Sequence, residues 1–528
     1  MRWLLLSSCL VACTVASDPP VEPLPPLPPP ATVETDRFRD AEACGQCHLV
    51  ADDTAVLHDA TGANDSPVLL WRSSMMALAA RDPFYLAVFA EELERAPDRR
   101  TEIETLCARC HAPAGTEELA VEGGHLSFDD MVGGTSPAAV LGRGGITCTL
   151  CHQIDPANLG DERSFSGNFV VGFGRALYGR YRDPMTNPMQ LIVNFTPTFG
   201  DHIGSSELCA TCHSVVVPGP SGKIVEQATY LEWKGSAFAA DRPCQFCHVP
   251  SVDDGGATIS TAVASFPADL LPRTPLGRHT FVGGNAYMLE LMADAIDWVG
   301  AGVPAEELRA AAQRDKDHLA GAAMLTVTKL ADGFTVRVDN RTGHKLPTGY
   351  PSRRLWLHVT VTNAGATVFE SGAVDAAGTL LDAQGAPLAA QPHRDELRSA
   401  DEVQVWEARL VDGKGTPTHR ATDATRYAKD DRILPLGFVP AQVEREGLDP
   451  VGVVADATFV GGSDSVTYRV PAIPAGAQIA IELQYQTLAP STVDAVAATK
   501  TPASLVFVDL ATRKGQAPTT IARATLTW

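Results

Sequence analysis

Three regimes of hydrophobic patterning follow one another along the chain. Residues 3–12, W-L-L-L-S-S-C-L-V-A, form an apolar run behind a single arginine. A run of about ten residues is too short to span a bilayer, so residues 1–12 read as an export signal. Pro19–Pro30 then holds eight prolines in twelve positions, a composition that predicts an extended polyproline spacer rather than a folded element. Helical spacing of apolar residues follows at Val68–Ala80, Pro83–Ala96, Asn285–Val299 and Pro304–Leu319, with Pro83 separating the first two and Pro97 stopping the second. From about Met324 the period switches to two, in F-T-V-R-V-D-N, R-L-W-L-H-V-T-V, V-Q-V-W-E-A-R-L, S-V-T-Y-R-V, I-A-I-E-L-Q-Y and I-A-R-A-T-L-T-W. Strands of this kind between turn residues predict an all-β sandwich of immunoglobulin-like type over residues 324–528.

Between these regimes the chemistry is concentrated in cysteine. The chain has 528 residues and twelve cysteines, and ten of the twelve fall in five Cys-x-x-Cys-His units. The units are Cys44–Cys47–His48, Cys107–Cys110–His111, Cys148–Cys151–His152, Cys209–Cys212–His213 and Cys244–Cys247–His248. Each offers two thiols for the vinyl groups of a c-type haem and a histidine for its iron. On a helix, Cys at i and i+3 and His at i+4 share one face, as a single flat macrocycle requires. A zinc knuckle or a thioredoxin-like pair uses similar residues. Repetition, the immediate histidine and the export signal favour haem. The reading is therefore five haems. Their irregular spacing excludes a simple internal repeat, and the porphyrins are expected to fill most of the interior of residues 37–250, with 251–323 completing that domain. The expected architecture is multidomain: a mostly α and irregular multihaem domain, then the β-sandwich.

Sixth ligands have no motif, so each needs a local argument. His202, His279 and His344 lie in Gly-rich loops suited to folding over a macrocycle, and they are the first candidates. His344, in G-H-K-L-P-T-G, would reach from the β-domain into the haem domain. His58, His125, Met75 and Met76 are further candidates, although a methionine on an amphipathic helix is usually a core residue. His358, His318, His393 and His419 read as structural residues in a strand, a helix end and polar loops. The adjacent Asp430 and Asp431 raise a calcium site, for which two aspartates are too few.

Leu10-Val11-Ala12-Cys13 matches a bacterial lipobox, making Cys13 a lipidated first residue and residues 13–36 a lipid-anchored linker. The other reading is an ordinary signal cut after Ala16. Either way the protein is expected in the bacterial cell envelope, at the periplasmic face of the outer membrane or on the surface. The net charge of −21 argues against nucleic acid and for redox partner proteins with a basic patch.

S-S-E-L-C-A-T-C-H, the E-W-x-x-S before C-Q-F-C-H, G-I-T-C-T-L-C-H-Q-I and G-H-K-L-P-T-G with R-R-L-W-L-H-V together resemble multihaem c-type cytochromes. The superfamily in question includes tetrahaem electron carriers and relatives of hydroxylamine oxidoreductase. The resemblance covers residues 40 to about 375. It implies closely packed, mostly bis-histidine haems, and supports His202, His279 and His344 as distal ligands. No Cys-x-x-Cys-Lys unit is present, unlike the pentahaem nitrite reductases. Two functions follow: an electron relay through five haems, or a redox enzyme in which one haem lacks a sixth ligand and acts on a small nitrogen or sulfur compound.

Overall fold

The computed structural model describes residues 21–439, 447–453 and 456–528. The export signal and Cys13 lie outside the described residues. Each Cys-x-x-Cys-His unit forms the end of a short helix: Ala41–His48, Arg100–His111, Cys148–Cys151, Ser206–His213 and Cys244–His248. Side-chain caps start two of them, Asp40 accepting from the Glu42 N–H and Thr147 from the Leu150 N–H. Four end on the histidine itself, because Leu49, Ala112, Ser214 and Val249 leave helical geometry at φ −131° to −135°. The break leaves each imidazole at a helix end, clear of a following turn.

The patterned helices appear with changed ends. Pro83–Arg95 is as expected, with Asp82 accepting from the N–H groups of Phe84 and Tyr85. Val68–Ala80 is helical only over Pro67–Arg72, because the Ser73 and Ser74 hydroxyls turn back onto the carbonyls of Leu70 and Trp71. Asn285–Val299 breaks at Ala295 into Ala286–Asp294 and Ile296–Val299, while Pro304 precedes Ala305–Leu319.

Two expectations are corrected here. First, the haem lobe has apolar cores of its own. Leu78, Met288, Leu291, Met292, Leu308 and Phe507 form one, and Leu86, Phe89, Leu93, Ile103, Leu126 and Met131 another. Second, the proline-rich stretch is not a free spacer from Leu24 onward. Leu27 is 3% exposed and joins the second core. Leu24 N–H donates to the Pro502 carbonyl, Leu27 N–H to that of Trp298, and the Trp298 indole to that of Leu24. The buried Arg81 guanidinium binds the carbonyls of Pro28, Arg143 and Val299, tying the stretch down. Prolines lack donors, but the two leucines between them supply both N–H groups and apolar surface.

The β-lobe places two sheets over one core. One runs Ala323–Leu330, Gly333–Asn340, Ser463–Tyr468, Glu396–Leu397. The larger runs Pro417–Thr418, Val405–Val411, Arg354–Asn363, Gln478–Gln486, Thr519–Thr527, with Arg426–Asp430 and Ala366–Ser371 at its margins. Phe334, Val336 and Val338 face Leu355, Leu357, Val359, Ile479, Ile481 and Leu483, which is the period-two pattern realised as packing. Gly333 (φ +154°) is required, since a Cβ there would lie 1.9 Å from the Tyr468 carbonyl oxygen. The region is not purely β. Pro490–Ala497 and Pro502–Lys514 intervene before the last strand and pack on helices Pro83–Arg95 and Ala286–Asp294 of the haem lobe, through Val493, Val496 and Phe507.

Candidate haem sites

Thiols of different units approach one another in pairs: Cys44 contacts Cys148, Cys110 contacts Cys212, and Cys209 contacts Cys244. Cys151 lies within electrostatic range of Cys209 and Cys212, which brings the 148–152 unit near the 209–213 unit.

The histidines are set as ligands need to be. Nδ1 of His48, His111, His152 and His248 contacts the carbonyls of Val263 (2.8 Å), Ala79 (2.9 Å), Tyr178 (2.6 Å) and Val282 (2.6 Å). With the proton on Nδ1, that contact fixes the ring and leaves Nε2 as the free donor for a metal. Burial pushes all five imidazoles down, His111 and His213 to about 4, so they stay neutral and ligand-competent.

Two second histidines stand at the spacing of an iron between imidazoles. Two metal–nitrogen bonds of about 2 Å plus the ring radii give about 6.3 Å between centroids. His152 and His279 are 6.3 Å apart with planes at 23°, and His248 and His344 are 6.4 Å apart at 19°. His279 and His344 hold their Nδ1 on the carbonyls of Gly277 and Lys345, and burial pushes both to about 4. His58 has the same signature, with Nδ1 at the Val56 carbonyl (2.8 Å) and a buried Nε2 that meets no partner.

The remaining candidates are placed otherwise. His202 directs Nε2 to the Ile154 carbonyl (2.9 Å) and packs edge-on against Tyr178, behind His152. His125 is held by Glu104 at the surface. Met75 packs into the Leu78 core, and the Met76 carbonyl accepts from Ile146. Asp430 is paired with Lys345 and Arg432, while Asp431 meets His393 and Lys429, so the two do not converge on one cation. His318, read as a helix-end residue, lies 5.4 Å from His248. Tyr85 stacks on His111 at 3.7 Å. No local signal marks either of these.

Among solved structures, a penta-haem cytochrome c552 from Thermochromatium tepidum matches at TM-score 0.53 and 18% identity, over 93% of this chain and 99% of that one. The chain has the fold of a multihaem cytochrome. Helical and β portions are both within the match. No family model matches the sequence, and no curated protein matches it.

Proposed function

We infer that the protein carries five c-type haems, on the cysteine pairs and histidines of its five units, and relays electrons through them. The observation that carries this reading is the clustering of the five units, whose thiols approach one another from unit to unit and so would bring their haems close together. The haems supply the redox chemistry. The chain fixes their spacing, holds their ligands neutral and excludes water from their edges. His279 and His344 serve as distal ligands opposite His152 and His248, and His58 caps a further iron. Its acidity suits redox partners with basic patches. Lipidation at Cys13 anchors it in the cell envelope. Since docking begins at Leu24, the roughly eleven residues between span at most about 40 Å, so the body lies close to the membrane. Intact-mass measurement on protein from a cytochrome-maturing host tests attachment: five haem masses are expected, and an unmodified folded chain contradicts it.

A second reading, a redox enzyme with an open iron, has its own support. Among the described residues, the imidazole pairs at the bis-histidine spacing involve only His152 and His248, and His58 can cap just one of the irons at His48, His111 and His213. Near the His111 unit lie Tyr350 and Glu226, whose carboxyl burial pushes up to about 7, a group able to hold or give a proton. A reduced-minus-CO difference spectrum separates the two. A pure relay binds essentially no CO, whereas rapid binding by one haem favours the enzyme.

A further inference from the structure

The β-lobe holds a cluster of ionisable side chains that the haem sites do not use. His393 sits in the loop before Glu396–Leu397, with Nδ1 3.0 Å from Asp431 Oδ2 and Nε2 3.0 Å from Asp456 Oδ2. Asp464, on strand Ser463–Tyr468, completes the group. One ligand atom from each of His393, Asp456 and Asp464 lies within 4.8 Å of the others. The side chains of His393, Asp456 and Asp431 are 4%, 3% and 0% exposed, and Asp464 is fully buried.

Charge does not balance in this pocket. Asp431, Asp456, Asp464 and the neighbouring Glu407 are four carboxylates, against Lys429 (3.3 Å from Asp431, 3.5 Å from Glu407), Arg354 beside Glu407 and one imidazole. Even with His393 protonated, one negative charge remains among largely buried side chains, a costly arrangement without a cation. The donors are also oriented. Asp431 Oδ2 lies 3.0 Å from His393 Nδ1, and Gln404 Nε2 lies 3.0 Å from both that oxygen and Nδ1, so the two side chains together fix the ring. Nε2 is directed at Asp456 Oδ2, with an Asp464 oxygen close by that also accepts from Trp406 or Ser465, and a carboxylate behind the ring is the arrangement that positions an imidazole for a metal.

We propose that His393, Asp456 and Asp464 bind one divalent transition-metal ion, with Asp431 as the residue that positions the imidazole. One nitrogen and two carboxylate donors suit zinc or manganese better than calcium, which takes six to eight oxygens. A divalent ion offsets the surplus negative charge and pins the loops carrying His393 and Asp456 to strand Ser463–Tyr468. All ten described cysteines belong to the haem units, so thiols do not compete for it.

The test uses the full-length, haem-loaded protein, stripped with EDTA, gel-filtered and titrated with zinc chloride, with zinc and haem iron read together by plasma mass spectrometry. One zinc per chain and a raised Tm are expected. Both are lost in Asp456→Asn and in Asp464→Asn, whose haem spectra remain those of the parent. Zinc on surface carboxylates or haem propionates persists in both variants, so binding unchanged by either substitution overturns the site. A wild-type protein that takes up no zinc, with no change in Tm, overturns it equally, leaving His393 a doubly ion-paired cation. Should either variant fail to fold, His393→Gln and the wild-type titration decide.

Discussion

The histidines of the five Cys-x-x-Cys-His units share one local motif, yet their surroundings differ in ways that single substitutions read out. Among the described residues His279 is the imidazole that faces His152 at the bis-histidine spacing, so His279→Ala is expected to leave every haem attached while one becomes high-spin and CO-reactive. A pyridine haemochrome assay gives the attachment, and the CO difference spectrum gives a new reactive fraction of about one haem in five. An unchanged CO spectrum contradicts the ligand assignment. Leu27 is the residue on which the docked N-terminal stretch depends. Leu27→Ala is expected to cost about 2–4 kcal/mol, visible as a lower midpoint in denaturant. In a free spacer the same change has no effect. The cysteines and proximal histidines were legible from spacing alone, because thioether attachment demands it. Distal ligands were legible only in part. A distal histidine is defined by what it faces, and His318 sits as close to His248 as any candidate without a sequence cue.

At the scale of elements, a buried ion network joins the two lobes. Glu232, on helix Thr229–Lys234, accepts from the Lys345 N–H and the Thr348 hydroxyl and pairs with Arg432. Asp430, at the end of strand Arg426–Asp430, binds both Lys345 Nζ and Arg432. Asp430→Asn leaves two buried cations short of a partner, an expected loss of about 3–5 kcal/mol by chemical denaturation. Burial alone would raise the Asp430 carboxyl, but Arg432 and Lys345 outweigh it and hold it at about 2. A carboxyl held below its unfolded value of about 3.9 stabilises the fold fully above that pH, and the contribution is lost as pH falls from about 4 toward 2. Acid unfolding of the wild type followed by far-UV circular dichroism should therefore steepen in that window, and D430N should show less of the effect. Asp430 and Asp431 stand together in sequence, but strand geometry sends them to opposite sides, one into this network and one toward His393.

At the scale of the whole molecule, the β-lobe is not an appendage. Helices Pro490–Ala497 and Pro502–Lys514 supply part of the haem lobe's core, and the loop carrying His344 reaches His248. A chain ending at Gly321 is expected to aggregate or to carry haems in non-native coordination. Soluble expression with the parental low-spin spectrum contradicts that. The sequence by itself determined that each unit sets two thiols and a histidine together on a short helix, because their spacing puts them on one helical face, and it determined the alternation of the strands, because a sheet with one buried side imposes period two. It also located helix Pro83–Arg95, whose cap and proline act within a few residues. Only the tertiary structure decided which histidines face one another, where the proline-rich stretch lies, that two late helices return to the first lobe, and that His393 meets three aspartates. Each of these is a contact between residues tens to hundreds of positions apart. Local propensity carries no record of such contacts, and burial and charge settle them only when the chain has closed.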